Sequence, residues 1–246
     1  MRKKTSKTSD YVSSVVYRMP KGYVFTYEDF IGEVKKKEAV IKALNRMVAS
    51  GKIAKLSKGK YYKPEETAFG QLQPDQYQVV KDLLEENNKV IGYLTGYSLY
   101  NQLGLTTQVS NTIQIGRKDT RPKFERGRFT ISFVRQKNNI TKDNIPLLQI
   151  LDAMRYIKNI PDTTPEAAIK RFKTIIKDLS EKDTASIVRL VQKYPPSTRA
   201  LLGAVLEEIG QTSFTSSLKK SLNPITQYEV PGAKKVLSTA VNWNFK

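Results

Sequence analysis

A basic helix that runs directly into a basic β-hairpin is the feature that most limits how this chain can fold. From Glu38 to Ser50 the apolar residues recur at helical spacing, which predicts one buried stripe and one polar face. Gly51 predicts the end of this helix, because glycine readily adopts the left-handed backbone that follows a helix C terminus. Residues 57–60, Ser-Lys-Gly-Lys, then predict the turn of a two-stranded hairpin with lysines at its tip.

The residues before this helix complete a small module. Asp10 predicts the cap of a first helix, and residues 24–25 predict a short strand. Thr26 and Asp29 match a looser form of the capping box, which predicts a short second helix. Three helices and a hairpin within about sixty residues are typical of a winged helix-turn-helix. In that module the last helix enters the major groove of DNA and the hairpin contacts the phosphates beside it.

The candidate DNA-binding residues lie on the polar face of the third helix, at its start and in the hairpin. A basic amphipathic helix is often only a solvated surface, but here helix order, hairpin and charge agree. Asn and Arg can make bidentate contacts to adenine and guanine, whereas lysines pair with phosphates. The candidates are Lys36, Lys37, Lys42, Asn45, Arg46, Lys55, Lys58 and Lys60.

The charge distribution favours a polyanionic partner. The chain of 246 residues has a net charge of +19, and residues 1–64 hold 16 lysines and arginines against 5 aspartates and glutamates. Such a balance is typical of proteins that bind nucleic acid or an acidic protein surface. No apolar stretch approaches the length of a membrane span, and the N terminus has no signal-like apolar region. We therefore expect no membrane partner and a cytoplasmic location.

The composition also argues against catalysis. The chain contains no Cys and no His, which excludes disulfides, thiolate chemistry, His-based triads and the usual zinc, copper and haem sites. Pro-Asp pairs at 74–75 and 161–162 could begin a magnesium-dependent nuclease motif, but no acidic-x-Lys triplet follows either. Neither Asp-x-Asp nor a Gly-rich phosphate loop is present. We expect no catalytic residue, no metal site and no cofactor.

A polar joint with two prolines, residues 63–74, predicts a boundary between a domain of residues 1–64 and one of residues 75–246. The fold class is therefore α+β, a winged helix-turn-helix followed by a mixed α/β domain with a helical C-terminal part. The mixed part, up to about residue 142, is expected to hold a helix at 75–88, a second helix ending at Gly104, and strands at 112–115 and 128–134. Later helices are expected at 145–158, 165–178, 183–193 and 197–209.

Three parts of the chain resemble, in order and over nearly its whole length, the AbiEi-type antitoxins of type IV toxin–antitoxin systems. The resemblance implies a winged helix that represses the protein's own operon, and a second domain that neutralises a nucleotidyltransferase toxin encoded beside it. The implied partners are operator DNA and the cognate toxin, with the protein a monomer or a dimer on DNA. The similar segments are Met19–Phe30 with the following helix and Lys58–Tyr62, then Gly92–Val109, and finally Tyr194–Glu207 with Leu222–Thr226.

Two groups are candidates for a toxin-binding or secondary DNA-binding surface. One is the polar part of the Gly92–Val109 signature, whose apolar members are expected in the core and whose Thr-Thr-Gln run could simply be a turn. The other lies in residues 117–142, which hold 9 basic and 2 acidic residues and could equally be a solvated loop. Tyr93, Tyr97 and Tyr100 could present an aromatic face at an interface. The candidates are Thr106, Thr107, Gln108, Arg117, Lys118, Arg121, Lys123, Arg126 and Arg128.

Two alternatives to an antitoxin stay open at this point. The first is a winged-helix regulator whose second domain binds a small ligand or dimerises. The second, less favoured, is a magnesium-dependent DNA-processing enzyme, for which only the basic charge argues. A neighbouring gene for a nucleotidyltransferase with Gly-Ser and Asp-x-Asp motifs would favour the antitoxin.

Overall fold

The computed structural model describes residues 8–32 and 37–246, which form two compact units. The first unit extends to Lys81 and also includes Glu125–Phe129, and the second comprises the remainder. The predicted boundary at residues 64–74 is therefore displaced. Residues just before Lys81 are bonded to other parts of the first unit: the Gln78 side chain accepts from the Val24 N–H at 3.3 Å, and the Val79 carbonyl accepts from the Arg126 guanidinium at 2.8 Å.

The first unit is a small α/β structure. One antiparallel sheet has the strand order β1-β3-β2, and a separate hairpin pairs β4 with β5. The hairpin was not predicted, since the joint was expected to lack regular structure. The elements are α1 (Thr8–Arg18), β1 (Val24–Phe25), a 3-10 turn (Tyr27–Phe30), α2 (Lys37–Ala49), β2 (Ala54–Ser57), β3 (Lys60–Tyr62), β4 (Glu65–Thr67) and β5 (Gly70–Leu72).

Local signals in the sequence explain where these elements begin and end. The Thr26 hydroxyl accepts from the Glu28 N–H, and the Asp29 carboxylate accepts from the Thr26 N–H at 2.7 Å, so the predicted capping box is confirmed. Gly51 has φ +71° directly after α2, as predicted for a helix stop. The core of the unit lies where α1 and α2 meet the sheet, and consists of Val12, Val16, Phe25, Phe30, Val40, Ala43, Leu44, Met47, Ile53 and Tyr61.

The second unit begins with a small sheet. The strand Thr112–Arg117 pairs antiparallel with the strand Gly92–Thr95, with Gly92 opposite Arg117. It pairs parallel with the strand Phe129–Arg135, with Thr130 opposite Thr112. The chain enters the first unit within the β10 strand and returns at Thr130. The elements are α3 (Gln76–Leu84), which crosses the boundary, β6 (Glu85–Glu86), β7 (Lys89–Val90), β8 (Gly92–Thr95), β9 (Thr112–Arg117), β10 (Phe124–Arg126) and β11 (Phe129–Arg135).

The prediction of a helix that ends at Gly104 is wrong. Residues 96–98 make a 3-10 turn, and only turns continue from there to Gly104. Gly104 does end them, with φ +67°, and the Leu105 N–H donates to the Tyr100 carbonyl at 2.8 Å. The hydrogen bonds explain the difference: the Tyr100 N–H donates to the Gly96 carbonyl and the Leu103 N–H to the Leu99 carbonyl, but these two helical bonds are not consecutive and so do not build an α-helix.

The rest of the second unit is helical, as predicted, so the protein is a mixed α/β structure with small sheets. Pro165 and Pro196 occupy first turns, where a missing N–H costs nothing. No helix within the described residues is long and apolar enough to cross a bilayer. The helices are α4 (Ile145–Arg155), α5 (Pro165–Lys177), α6 (Glu181–Val191), α7 (Pro196–Glu208), α8 (Ser216–Lys220) and α9 (Ala233–Val236), with a 3-10 segment at Ser238–Trp243; the last three were not predicted.

Candidate nucleic-acid interface

The outer face of α2 carries three of the predicted DNA-binding residues. Lys42, Asn45 and Arg46 are all exposed, whereas Val40 and Leu44 on the opposite face are fully buried in the core of the first unit. The apolar stripe therefore fixes the rotation of the helix about its own axis. As a result, one amide and two cationic side chains point away from the core together.

The β2–β3 hairpin orients one of these residues. The Tyr61 hydroxyl on β3 donates to the Asn45 Oδ1 at 3.1 Å. Tyr61 is itself held in place, since it is 4% exposed and its ring stacks on Phe25 with centroids 6.2 Å apart. This bond uses one lone pair of the Asn45 amide oxygen and leaves the amide N–H groups free to donate. The sequence did not reveal this contact, because the two residues are separated by a turn and a strand.

The start of α2 is less available than predicted. The Lys37 ammonium lies 4.3 Å from the centre of the Tyr27 ring, a cation–π contact that draws this side chain towards the 3-10 turn. Lys36, also predicted to bind DNA, lies outside the described residues. The best-defined part of the predicted surface therefore begins at Lys42.

The predicted hairpin is present and its tip is basic. β2 and β3 are joined by a two-residue turn, Lys58-Gly59, in which Gly59 has φ +76°. Lys55 and Lys58 are exposed, and Lys60 is half-buried. Among the described residues, neither Lys55 nor Lys58 forms an ion pair with a carboxylate, so both can contact a phosphate.

The second predicted basic group does not form one exposed surface. Arg126 is 8% exposed, and its guanidinium donates to the Val79 carbonyl at 2.8 Å, so its prediction as a surface contact is wrong. The cause is that Arg126 lies in β10 at a position that faces inward. Arg128 is exposed and lies 5.1 Å from the centre of the Phe129 ring.

The remaining members of that group belong to the second unit. Lys118, Arg121 and Lys123 are exposed, and the Lys118 ammonium donates to the Asn139 side chain at 3.2 Å. Arg117 is half-buried, and its Nε is buried without a hydrogen-bond partner in the described part of the chain. The predicted group is thus divided between two units and contains three exposed cations in the second.

The Thr-Thr-Gln run of the signature forms a local turn. The Thr106 hydroxyl accepts from the Gln108 N–H at 3.2 Å, which supports the view that its polar atoms serve the backbone. Thr107 and Gln108 are exposed and remain candidate contacts. The expectation that the signature's apolar residues lie in the core holds for Leu99 and Leu105 but is wrong for Val109, which is 86% exposed.

A buried polar cluster in the second unit was missed by the sequence reasoning. Asp152 on α4 is 1% exposed and accepts from three hydroxyl groups: Tyr93 at 2.7 Å, Thr95 at 2.8 Å and Tyr194 at 2.8 Å. The Gln136 amide donates to both tyrosine oxygens at 2.8 Å. We call these five residues the Asp152 cluster. An aspartate within the apolar run 147–154 was the signal that could have revealed it.

The electrostatics of this cluster indicate that it stabilises the fold and does not transfer protons. Burial raises the pKa of Asp152, and the hydrogen bonds from Tyr93, Tyr194 and Thr95 oppose that shift. Burial, followed by the charge of Asp152, raises the pKa of Tyr93, and burial raises that of Tyr194. The expectation that Tyr93 and Tyr100 form an interface is wrong, because each is only 2% exposed.

Within the described residues, no three carboxylate side chains are grouped so that they could hold a metal ion. The predicted and observed candidate sites are therefore the basic face of the first unit, the exposed cations of the second, and the internal polar atoms around Asp152.

The chain belongs to the family DUF6088, a family of unknown function, whose pattern matches residues 11–184. Its fold is similar to that of the RV2827C protein from Mycobacterium tuberculosis, known from a crystal structure. The two are 18% identical, with a TM-score of 0.51 over 95% of this chain and 88% of that chain. At this identity the similarity concerns the fold alone. No curated protein has a significantly similar sequence.

Proposed function

We propose that this protein binds duplex DNA through its first unit, with α2 in the major groove and the β2–β3 turn on the neighbouring phosphates. The observation that carries the proposal is the exposed Lys42, Asn45 and Arg46 on a helix whose other face is anchored in a core. The order of elements supports it: helix, strand, 3-10 turn, helix and two strands, with the sheet order β1-β3-β2, is the connectivity of a winged helix.

The side chains would have two different tasks. Asn45 and Arg46 are suited to base edges, since amide and guanidinium groups make bidentate contacts to adenine and guanine. Lys42, Lys55 and Lys58 are suited to phosphates, which position the protein without reading sequence. Tyr61 would hold the Asn45 amide in the orientation that presents its N–H groups outward.

The biological role we propose is that of a cytoplasmic repressor and antitoxin. This part rests on the resemblance to AbiEi-type antitoxins, whose second domain neutralises a nucleotidyltransferase toxin. The exposed Lys118, Arg121 and Lys123, with Thr107 and Gln108, are the candidate contacts on the second unit. The operator would be the DNA directly upstream of the protein's own gene.

Fluorescence anisotropy with that upstream duplex tests the DNA-binding proposal. Arg46→Ala should weaken binding by about 1–3 kcal/mol and reduce the preference for the upstream duplex over an unrelated one. Lys58→Ala should weaken both duplexes equally and lower the salt-dependence slope by about 0.9, the value expected for one lost phosphate contact. Lys182→Ala, an exposed lysine on α6, is the matched control and should change neither quantity.

The proposal would be wrong if Arg46→Ala and Lys58→Ala bound the upstream duplex with the affinity and salt slope of the wild-type protein. A double variant with both changes provides the stronger form of this test. Circular dichroism should show that the variants are folded, as expected for exposed side chains.

The antitoxin role is tested separately in cells. The full-length protein with Asn45→Ala and Arg46→Ala should lose repression of a promoter reporter yet still restore growth when the neighbouring gene is expressed. Loss of growth rescue with retained repression, on changing Lys118, Arg121 and Lys123 to Ala, would assign the toxin contact. If the wild-type protein does not protect against its neighbour, the antitoxin role is refuted while DNA binding is still judged by anisotropy.

A further inference from the structure

A basic cavity lies entirely within the second unit. A cavity of about 300 Å³ opens between the end of β11, the end of α4 and the loop that enters α7. Its size is at the lower end of pockets that hold small ligands, which span roughly 300–1,000 Å³. Four of the side chains that line it are cationic: Arg135, Lys137, Arg155 and Lys193.

The fold brings these four cations together from three elements. Arg135 and Lys137 are exposed at the end of β11 and just after it, and both line the cavity, while Gln136 between them is buried beneath it. Arg155 is in the last turn of α4. Lys193 follows α6, and its ammonium donates to the Lys137 carbonyl at 3.4 Å. Cations from separate elements converge here, which distinguishes the cavity from a lysine-rich helix face.

No ion pair with a lining carboxylate neutralises the cations of the cavity among the described residues. None of the described residues that line it is a carboxylate. Asp152 interacts electrostatically with Arg155, but it is 1% exposed and accepts hydrogen bonds from three hydroxyl groups. Burial keeps the pKa of Tyr194 far above its usual value, so the phenol on the cavity floor stays neutral.

The floor of the cavity is also held in place. Gln136 and Tyr194 line it, and both belong to the Asp152 cluster, so their side chains are held by hydrogen bonds of 2.8 Å. The positive end of the α7 dipole lies at the rim, since Pro195 and Pro196 line the cavity and begin that 13-residue helix. A neutral, fixed floor beneath four cations suits a compact anion with several charges.

A larger cavity in the same unit provides the contrast. It measures about 590 Å³ and is lined by Lys170, Lys173 and Lys177, but also by two carboxylates. One of these, Glu208, pairs with Lys173 at 3.2 Å. Positive charge alone therefore does not single out the smaller cavity; the absence of a carboxylate among its described lining residues does.

We propose that the cavity lined by Arg135, Lys137, Arg155 and Lys193 binds the phosphate groups of a small phosphorylated ligand, such as pyrophosphate or the phosphate chain of a nucleotide. Two guanidinium groups can grip phosphate oxygens in bidentate fashion, and the lysines add charge without fixed geometry. The proposal goes beyond DNA binding and does not depend on it, because every residue involved belongs to the second unit.

Isothermal titration calorimetry of the full chain with pyrophosphate tests the proposal. The wild-type protein should bind one pyrophosphate, and bind orthophosphate more weakly because it carries less charge. The double variant Arg135→Gln, Arg155→Gln should weaken pyrophosphate binding at least about tenfold, the effect of losing charge-assisted hydrogen bonds. The matched control is Lys170→Gln, Lys177→Gln, which removes two charges from the larger cavity and should leave binding unchanged.

Thermal unfolding checks that the variants are folded and detects ligand binding independently. Both double variants should unfold at the wild-type temperature without ligand, since all four substituted side chains are exposed. Pyrophosphate should raise the unfolding temperature of the wild type and of the control variant only.

Three outcomes would overturn the assignment. One is the absence of any pyrophosphate binding to the wild-type protein. Another is equal weakening in the two double variants, which would show only general charge attraction. The third is that Arg135 and Arg155 are needed for binding of a DNA duplex while pyrophosphate does not bind, which would make the cavity a DNA contact.

Discussion

The two units of this protein direct their polar side chains in opposite ways. On α2 of the first unit, Asn45 and Arg46 point outward from a helix whose apolar face is buried. On α4 of the second unit, Asp152 points inward and meets Tyr93 and Tyr194 in the core. Polar atoms saturated by internal hydrogen bonds cannot recognise a partner, whereas outward ones can. The outward face of α2 is therefore available to a partner, whereas the carboxylate of Asp152 serves packing.

The comparison also explains the signature from Gly92 to Val109. Tyr93 and Thr95 supply hydroxyls to Asp152, and the Tyr93 ring lies across Gly116 on the neighbouring strand. A Cβ atom at Gly116 would be 2.4 Å from the Tyr93 ring, so only glycine fits opposite this tyrosine. Much of what resembles a family motif in this stretch is therefore architectural.

The largest expected effect is a difference in stability between a substitution in the second unit and one in the first. Asp152→Ala would leave three buried hydroxyl donors without their acceptor, and we expect a loss of roughly 3–5 kcal/mol in the free energy of unfolding. Asn45→Ala in the first unit should change it by no more than about 1 kcal/mol, because that residue is exposed. Urea denaturation checks both. Asp119→Ala, at an exposed aspartate of the second unit, is the control for loss of a carboxylate.

A smaller effect is expected from crowding the same cluster. In Gly116→Ala the new methyl group must displace the Tyr93 ring, which is anchored to Asp152, at a cost of about 1–3 kcal/mol. Gly32→Ala is the matched change in the first unit, where a Cβ would meet no atom of the described residues within 4 Å. Should Gly116→Ala prove as stable as Gly32→Ala in denaturant, the ring is not held as described.

The pH dependence of stability should also differ between the units. The pKa of Asp152 is raised in the native state by burial, so between the unfolded value of about 3.9 and the native value the folded protein binds more protons. Its contribution is therefore fully present below the unfolded value and is lost as pH rises through the native value. The slope reaches at most about 1.4 kcal/mol per pH unit.

Asp152→Asn isolates this contribution, because other carboxylates with lowered pKa, such as Glu207, titrate alike in both proteins. The difference in unfolding free energy between wild type and variant should shift in favour of the variant as pH rises from about 4. A difference that does not vary with pH would contradict a raised pKa for Asp152.

The smallest expected effect concerns the hydrogen bond between β3 and α2. Tyr61→Phe removes the hydrogen bond to Asn45 and should cost about 0.5–1.5 kcal/mol, divided between stability and DNA discrimination. Its effect on binding should be smaller than that of Asn45→Ala. Tyr62→Phe is the matched control, since the Tyr62 hydroxyl has no hydrogen-bond partner among the described residues. Equal DNA binding by both variants would show that Asn45 does not need the hydrogen bond from Tyr61 to bind DNA.

Much of the first unit could be predicted because its signals are local. The capping box at Thr26, the stop at Gly51 and the helical period of α2 each depend on residues within one or two turns, and the structure confirms them. The α4 to α7 helices were predicted for the same reason, since prolines and apolar periodicity mark their limits. The DNA-binding role of the basic face stays a prediction.

The errors share a different cause. The sequence predicts a surface cation at Arg126, yet this residue is buried because its neighbours in space, not in sequence, place it against the Val79 carbonyl. Likewise Tyr93 was assigned to an interface, although it meets a carboxylate 59 residues away. Neither position carries a local signal of its partner.

By itself, therefore, the sequence determined α2 and the α4 to α7 helices, the charge of each region and the outward polar face of α2, because short-range periodicity and capping act within a few residues. Only the tertiary structure decided which polar side chains meet. The pairing of β8 with β9 and the packing of α4 beneath them bring Tyr93 to Asp152, and the approach of β11, α4 and α7 creates the cationic cavity. Contacts between distant residues depend on how elements pack, and that packing is not written in any one segment.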